Sequence, residues 1–298
     1  MGDDRRQRLE RFLAPFCVTP GSAVTLPRDF DPSFKAEMKK KTGLAVLADN
    51  ARLLSEYQTR LAAQETWGML VILQGIDASG KDGTIRHVMS GVNPQGVRVH
   101  SFKIPSAEEL SHDYLWRYTR RLPARGEIGI FNRSQYEEVL VVRVHPEHLD
   151  RQRLPDCARR GDVWHRRYSE INDWERYLSD NGFRIVKLFL NLSREEQRVR
   201  LLRRIDRPDR NWKFSAADVA ERARWDDYQR AFSEMLSHTS TEWAPWYVIP
   251  ADRKWFARIG AGAVILRALM EIDPHFPVLS MRQREDLRTA RAALEAEA

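Results

Sequence analysis

The sequence predicts an α/β fold, a parallel sheet doubly wound by helices, and three observations carry that reading. Short apolar runs alternate with longer segments whose apolar residues recur at helical spacing. A glycine-rich turn bearing a lysine, Gly75 to Thr84, joins the first of these runs to a helical pattern. A second polar constellation, Asn132 to Glu138, follows a later run, where a doubly wound sheet carries its ligands. Strands alternating with helices imply a parallel sheet, because each crossover helix returns the chain to the same end.

Taken in order, residues 1–34 carry scattered Pro and Gly and read as an extended arm with one short helix. A charged amphipathic helix is expected from Ser33 to about Gln64, with Leu44, Leu47, Leu53, Leu54 and Leu61 on its apolar side. The run 68–74 is the first strand, its helix covers 81–90, and 97–102 is a second strand. Residues 106–122 read as one helix, since Tyr114, Tyr118 and Leu122 recur every fourth position. A third strand spans 127–131. Residues 162–180 form a helix with Trp164, Tyr168, Ile171, Trp174 and Leu178 on one face, ending at Gly182. The next strand is 183–192, after which Ser193 and Glu196 are spaced as a capping box. A helix at 215–237, a short strand at 247–249 and a helix at 252–271 complete the core. The charged tail from Arg282 reads as helical. The expected organisation is an arm (1–34), a catalytic domain (35–275) with a lid near 200–215, and a tail (276–298).

The chain has 298 residues, 42% of them hydrophobic, which suits one large α/β domain. The net charge of +7, mostly carried by Arg, favours polyanionic partners. Two cysteines, Cys17 and Cys157, fit neither a disulfide framework nor a metal site. The absence of a long apolar run or a signal-like N-terminus points to a cytoplasmic protein without a membrane partner.

The Gly75–Thr84 turn has the spacing of a phosphate loop. Small residues let backbone N–H groups approach phosphate oxygens, the helix N-terminus adds partial positive charge, and Lys81 adds a full one. The usual Ser or Thr after the lysine is Asp82, and Asp77 lies within the loop. A carboxylate among phosphate-binding amides repels the ligand unless a cation bridges them, which points to Mg²⁺ with Asp77 as its ligand. Asp82 also suits the first turn of a helix by its charge alone. In the second constellation, Arg133 can clamp a phosphate through its planar fork, while Glu137 and Glu138 can hold a metal or orient a phosphate. The third is Leu201 to Ser215, where Arg203, Arg204, Arg207, Arg210 and Lys213 exceed what a helix C-terminus needs. They read as a basic lid closing over phosphates.

Together these segments resemble the family-2 polyphosphate kinases. The resemblance runs from about Lys35 to Ile272 and includes GIDASGKDGTIRHV, GVNPQGVRVHSFKIP, DYLWRYTRRLP, GEIGIFNRSQYEEVLVVRVH, RRIDRPDRNWKFS and TSTEWAPWYVIPADRKWFARI. It implies a thymidylate kinase-like P-loop fold with a helical lid. It also implies reversible, Mg²⁺-dependent phosphoryl transfer between inorganic polyphosphate and adenine or guanine nucleotides, with Mn²⁺ as a substitute ion. Transferred by position, Gly75, Ala78, Ser79, Gly80, Gly83 and Thr84 become Walker A residues beside Asp77, Lys81 and Asp82. The run from Asn132 to Glu138 becomes the Walker B region. Arg117 of DYLWRYTRRLP and Arg204, Arg207 and Lys213 of the lid join the substrate-binding set. Glu138 stands where similar members carry Asp, and so is expected to pair with Asp77 at the metal; Gln135 stands where His is common. The Asn-Arg-Ser-x-Tyr-Glu form is similar to the subgroup accepting both AMP and ADP, and the family tends to form dimers and tetramers. The competing readings are an ATP-dependent nucleoside monophosphate kinase of the same fold and a basic nucleic-acid-binding protein. The latter would array its arginines in a continuous stripe.

Overall fold

The computed structural model describes residues 2–209 and 211–297. Five strands form one parallel sheet: β1 (Gly68–Gln74), β2 (Val97–Ser101), β3 (Ile128–Asn132), β4 (Phe183–Asn191) and β5 (Trp246–Pro250), in the spatial order β2-β3-β1-β4-β5. β1 lies at the centre, with Leu73 opposite Asn132 of β3 and opposite Leu188 of β4. Every residue of β1 is buried. Its Met69, Leu70, Ile72 and Leu73 lose nearly all contact with water, each contributing about 1.5–3 kcal/mol. The chain leaves β1 toward β2 and β3 and later returns to the other side for β4 and β5. The strand order therefore reverses around β1, and the loop after β1 opens at that crevice.

Alternation along the strands sends side chains to two helical layers. On one face, Lys187 of β4 meets Glu175 of the Val163–Asp180 helix, and Phe189 packs on Phe232 of the Trp225–Thr239 helix. On the other, Ile249 of β5 packs against Gly260 of the Lys254–Ile272 helix. That helix is buried almost all round, because the helices Gly2–Leu13, Lys40–Gln64 and Lys81–Val88 cover it in turn. Among the described residues no helix is long and apolar enough to cross a membrane.

Several elements differ from their sequence expectation. The helix expected from Ser33 starts only at Lys40, because Ala36 and Glu37 adopt left-handed backbone angles. The 106–122 segment is two short helices, Ala107–Ser111 and Trp116–Thr119. His112 is extended between them, and the Asp113 carboxylate accepts from the Leu115 amide, a local bond that competes with helix continuation. The 215–237 helix breaks at Arg224 into Ala216–Ala223 and Trp225–Thr239. Part of the expected arm lies against the core: Leu13, Phe16 and Val18 are buried, and the Val18 amide donates to the Trp246 carbonyl of β5 at 2.9 Å. The tail, by contrast, is helical as expected, an exposed helix Met281–Ala296.

Candidate active site

The turn after β1 is built for close backbone approach. Gly75 has φ +150°, and a Cβ there would meet the Leu190 carbonyl at 2.8 Å; Ala78 and Gly80 take left-handed angles of +64° and +104°. Gly80 begins the Lys81–Val88 helix without a side-chain cap, so the first amides of that helix face the turn. The Thr84 amide closes onto the Gly80 carbonyl at 2.9 Å. Gly83 has open space where a side chain would stand. The Lys81 ammonium is buried and donates to the carbonyls of Gly75 (2.6 Å) and Ile76 (3.3 Å). Burial, then the Arg133 charge, lower its pKa to about 8, against the pull of Asp77, Glu137 and Asp82. The Ser79 hydroxyl is buried in the loop and lacks a hydrogen-bond partner among the described residues.

At the end of β3, the Arg133 amide bonds to the Leu73 carbonyl, extending the β1–β3 pairing past the strand. Arg133 takes φ +63° and reaches Asp77 with one guanidinium nitrogen and Glu137 with the other, at 2.5 and 3.0 Å. Glu137 above all raises its pKa further, against burial. Burial pushes the Asp77 carboxyl up, but Lys81, Arg133 and Arg204 outweigh it and hold the group below its ordinary range, ionised at neutral pH. The Asn132 side chain donates to Asp82 at 2.7 Å, and its Oδ1 is buried with no partner among the described residues. Phosphate loop, Arg133, Asp77 and Glu137 therefore share one small cleft, whose far wall is Tyr228 and Glu221.

Adjacent in sequence, Glu137 and Glu138 face different spaces. The Gln135–Val139 turn sends Glu138 away from the phosphate loop, where it is almost wholly buried and accepts from Arg167 (3.2 Å) and Gln152 (2.7 Å). Burial raises its pKa. The expected metal pair of Asp77 and Glu138 is thus divided: Asp77 is held by Arg133, and Glu138 by Arg167. Among the described residues no group of three or more His, Cys, Asp and Glu gathers as a cation cage. Glu138 instead lines a 450 Å³ cavity shared with Tyr114, Arg117, Arg153, Arg166 and Arg167. Arg117 is buried there, donating to the Lys103 carbonyl at 2.9 Å and pairing with Glu109 at 3.2 Å. The break in the 106–122 helix forms one side of this space.

The arginine-rich segment divides by depth. Arg204, close enough to act on the Asp77 charge, pairs with Asp218 at 2.9 Å, and exposed Arg207 pairs with Asp209. Arg203 is exposed. Arg210 and the Lys213 side chain, both expected in this set, lie outside the described residues. Arg200 and Gln197 escaped the sequence reading. Arg200 donates to the carbonyls of Ala78 (3.1 Å) and Ser79 (2.8 Å) in the loop and to Ala251 and Asp252 beyond β5, while Glu196 receives its Nε. Gln197 donates to the Asp77 carbonyl at 3.0 Å and accepts from Arg222 of the Ala216–Ala223 helix at 2.8 Å. Spacing offered a weak signal: 193, 196, 197, 200 and 204 share one helical face. The expected capping box is only half present, because the Ser193 amide donates to Asp252 and Glu196 is committed to Arg200.

Comparison with known proteins agrees with this geometry. Residues 37–277 match the family model described as Polyphosphate kinase 2. The ADP-polyphosphate phosphotransferase of Rhodopseudomonas palustris is 48% identical over 94% of this chain and 97% of its own. The AMP/ADP-polyphosphate phosphotransferase of Meiothermus ruber is 43% identical over 89% and 96%. The crystal structure of polyphosphate kinase 2 from Arthrobacter aurescens superposes with a TM-score of 0.84 at 39% identity, covering 95% of each chain. With a phosphate loop at the reversal point of a parallel five-stranded sheet, and with these relatives along nearly its whole length, the chain belongs to the polyphosphate kinase 2 family and is a polyphosphate-dependent nucleotide kinase.

Proposed function

We propose that this enzyme transfers phosphoryl groups, reversibly and with Mg²⁺, between the end of a polyphosphate chain and AMP or ADP. The observation that carries the assignment of the transfer centre is the Lys81–Asp77–Arg133–Glu137 cluster at the mouth of the phosphate loop. Lys81, now bonded to loop carbonyls, would exchange them for phosphate oxygens. Arg133 would hold the transferring group through its fork, and Arg204 would add charge from the lid. A nucleotide phosphate is already anionic near neutral pH, so the attack needs no protein nucleophile. Transfer would rest on in-line positioning and charge neutralisation.

Asp77 is the residue best suited to the ion: it is ionised, partly exposed and beside the loop, and Mg²⁺ is commonly held by one or two carboxylates plus phosphate oxygens. When bound, the ion would neutralise charge on the phosphates. Glu138, committed to Arg167, would instead shape the 450 Å³ cavity, which has the volume of a small-molecule site and borders the cleft through the Gln135–Val139 turn. We assign that cavity to the nucleoside end of the acceptor. The +7 charge would steer polyphosphate, which carries about one negative charge per phosphate. Working cytoplasmic units of two or four copies fit the same reading.

Incubating purified protein with polyphosphate, Mg²⁺ and either AMP or ADP, without ATP, should yield ADP or ATP by chromatography. No product from either acceptor would sink the proposal. Initial rates with the two acceptors give the preference, and omission of Mg²⁺ tests the ion.

A further inference from the structure

Beneath the Gln135–Val139 turn lies a charged pair that the transfer chemistry does not use. Lys187 sits mid-way along β4, in the apolar run Phe183–Asn191, and Glu175 on the Val163–Asp180 helix; both are fully buried and 2.7 Å apart. Each is saturated with further bonds. Glu175 Oε1 accepts from the Tyr136 hydroxyl at 2.7 Å and from the Gln135 side-chain Nε2 at 3.1 Å. Lys187 donates to the Tyr136 oxygen at 3.0 Å and to the Thr239 carbonyl at 2.5 Å. Above them Gln74, the last residue of β1, donates to Ser134 at 3.1 Å, and Ser134 accepts from the Tyr136 amide.

We propose that Glu175, with Lys187, is a positioning residue for phosphoryl transfer, acting through Gln135 and Tyr136 to hold Arg133 and Glu137 in register with the phosphate loop. The proposal rests on the assignment of Arg133 to the transfer centre. A buried ion pair is a poor source of stability, because desolvation consumes its attraction and apolar side chains of similar volume fill the same space as well. What apolar residues cannot supply is an acceptor for the Tyr136 hydroxyl and the Gln135 side-chain Nε2. Those two residues stand between Arg133, which holds a left-handed backbone angle, and Glu137, which grips its guanidinium. Loss of the anchor frees the turn to shift, and a displacement near 1 Å at a transfer centre costs about a hundredfold in rate.

The test compares melting temperature, kcat and KM for polyphosphate in the full-length enzyme with ADP as acceptor. Glu175→Leu combined with Lys187→Met removes both charges and keeps the volume apolar. It also leaves the Tyr136 hydroxyl, the Gln135 side-chain amide and the Thr239 carbonyl without these partners. It should therefore melt below the wild-type temperature yet stay folded at the assay temperature, lose about tenfold to a hundredfold in kcat, and change KM less than about threefold. Glu175→Gln with Lys187→Met retains a carbonyl acceptor for Tyr136 and should recover most of that loss. Should the apolar pair not fold, Tyr136→Phe removes only the hydroxyl and should lower kcat about tenfold in a folded protein. Wild-type kcat in the folded apolar pair or in Tyr136→Phe overturns the proposal, as does a loss accounted for by unfolded protein. Arg133→Ala separates the two readings. If it stays active, the transfer-centre assignment has failed and this inference with it; if it is inactive while the network variants keep wild-type kcat, only this inference fails.

Discussion

The phosphate loop and the arginine-rich segment 200–215, expected to be a lid, carry the same charge chemistry in opposite mechanical settings. In the loop, Lys81 and Ser79 are buried, the backbone is fixed at three left-handed or glycine-only positions, and Arg200 and Gln197 clasp its carbonyls from the next layer. In the arginine-rich segment, Arg203 and Arg207 stand in solvent, Arg207 is paired with Asp209, and half-buried Arg204 is paired with Asp218 of the following helix. A cation buried by the fold is aimed in advance. A cation paired on a surface must exchange its partner for the ligand, and such pairs hold only about 0–1 kcal/mol. The loop should therefore act as the preorganised centre, and the lid as charge delivered on closure.

The widest test of that contrast is Lys81→Ala. It should lower kcat/KM by about a thousandfold or more while leaving the melting temperature nearly unchanged, since the fold already bears the cost of desolvating the ammonium. Next, Arg200→Leu strips donors from carbonyls of Ala78, Ser79, Ala251 and Asp252. A loss of about 1–3 kcal/mol in denaturant melts together with a roughly tenfold drop in kcat is expected. An unchanged kcat in the folded variant would mean that the loop keeps its shape unaided. Arg204→Ala should cost about tenfold in kcat with no change in melting, and exposed Arg207→Ala only a few-fold; a stability loss in either would erase the distinction between the two regions. Glu138→Gln sharpens a neighbouring contrast: it should weaken the fold by about 1–3 kcal/mol through Arg167 while leaving the Mg²⁺ concentration for half-maximal rate unmoved. The smallest effect is in pH. Lys81 loses its proton as pH rises through about 8, so kcat/KM for polyphosphate should be level below that value and decline above it. The kcat profile should fall at higher pH, because bound phosphate stabilises the ammonium; identical limbs would place the titration elsewhere.

Much of the candidate site was readable because its residues are contiguous. A strand, a glycine turn, a lysine and a helix start are adjacent in the chain, so Gly75 to Thr84 can be recognised without knowing what packs around it. The run Asn132–Glu138 was likewise legible as a strand-end segment, but the direction of each side chain was not. Adjacent positions in a tight turn diverge, so Glu137 reaches Arg133 while Glu138 reaches Arg167. The 106–122 helix failed for a local reason, the Asp113 side chain bonding to the Leu115 amide, that periodicity does not register.

Fold class, strand positions and the glycine turn at Gly75 to Gly80 thus follow from short-range order in the sequence, since apolar period and turn composition act over a few residues. Tertiary structure alone decided which acids meet which bases. Arg200 clasps loop carbonyls 121 and 122 positions away, and Tyr136 rests on Glu175, 39 positions along, because separate layers of the fold bring them to hydrogen-bond distance. Hydrogen bonds and buried charges act through space rather than along the chain, and no local pattern encodes their partners.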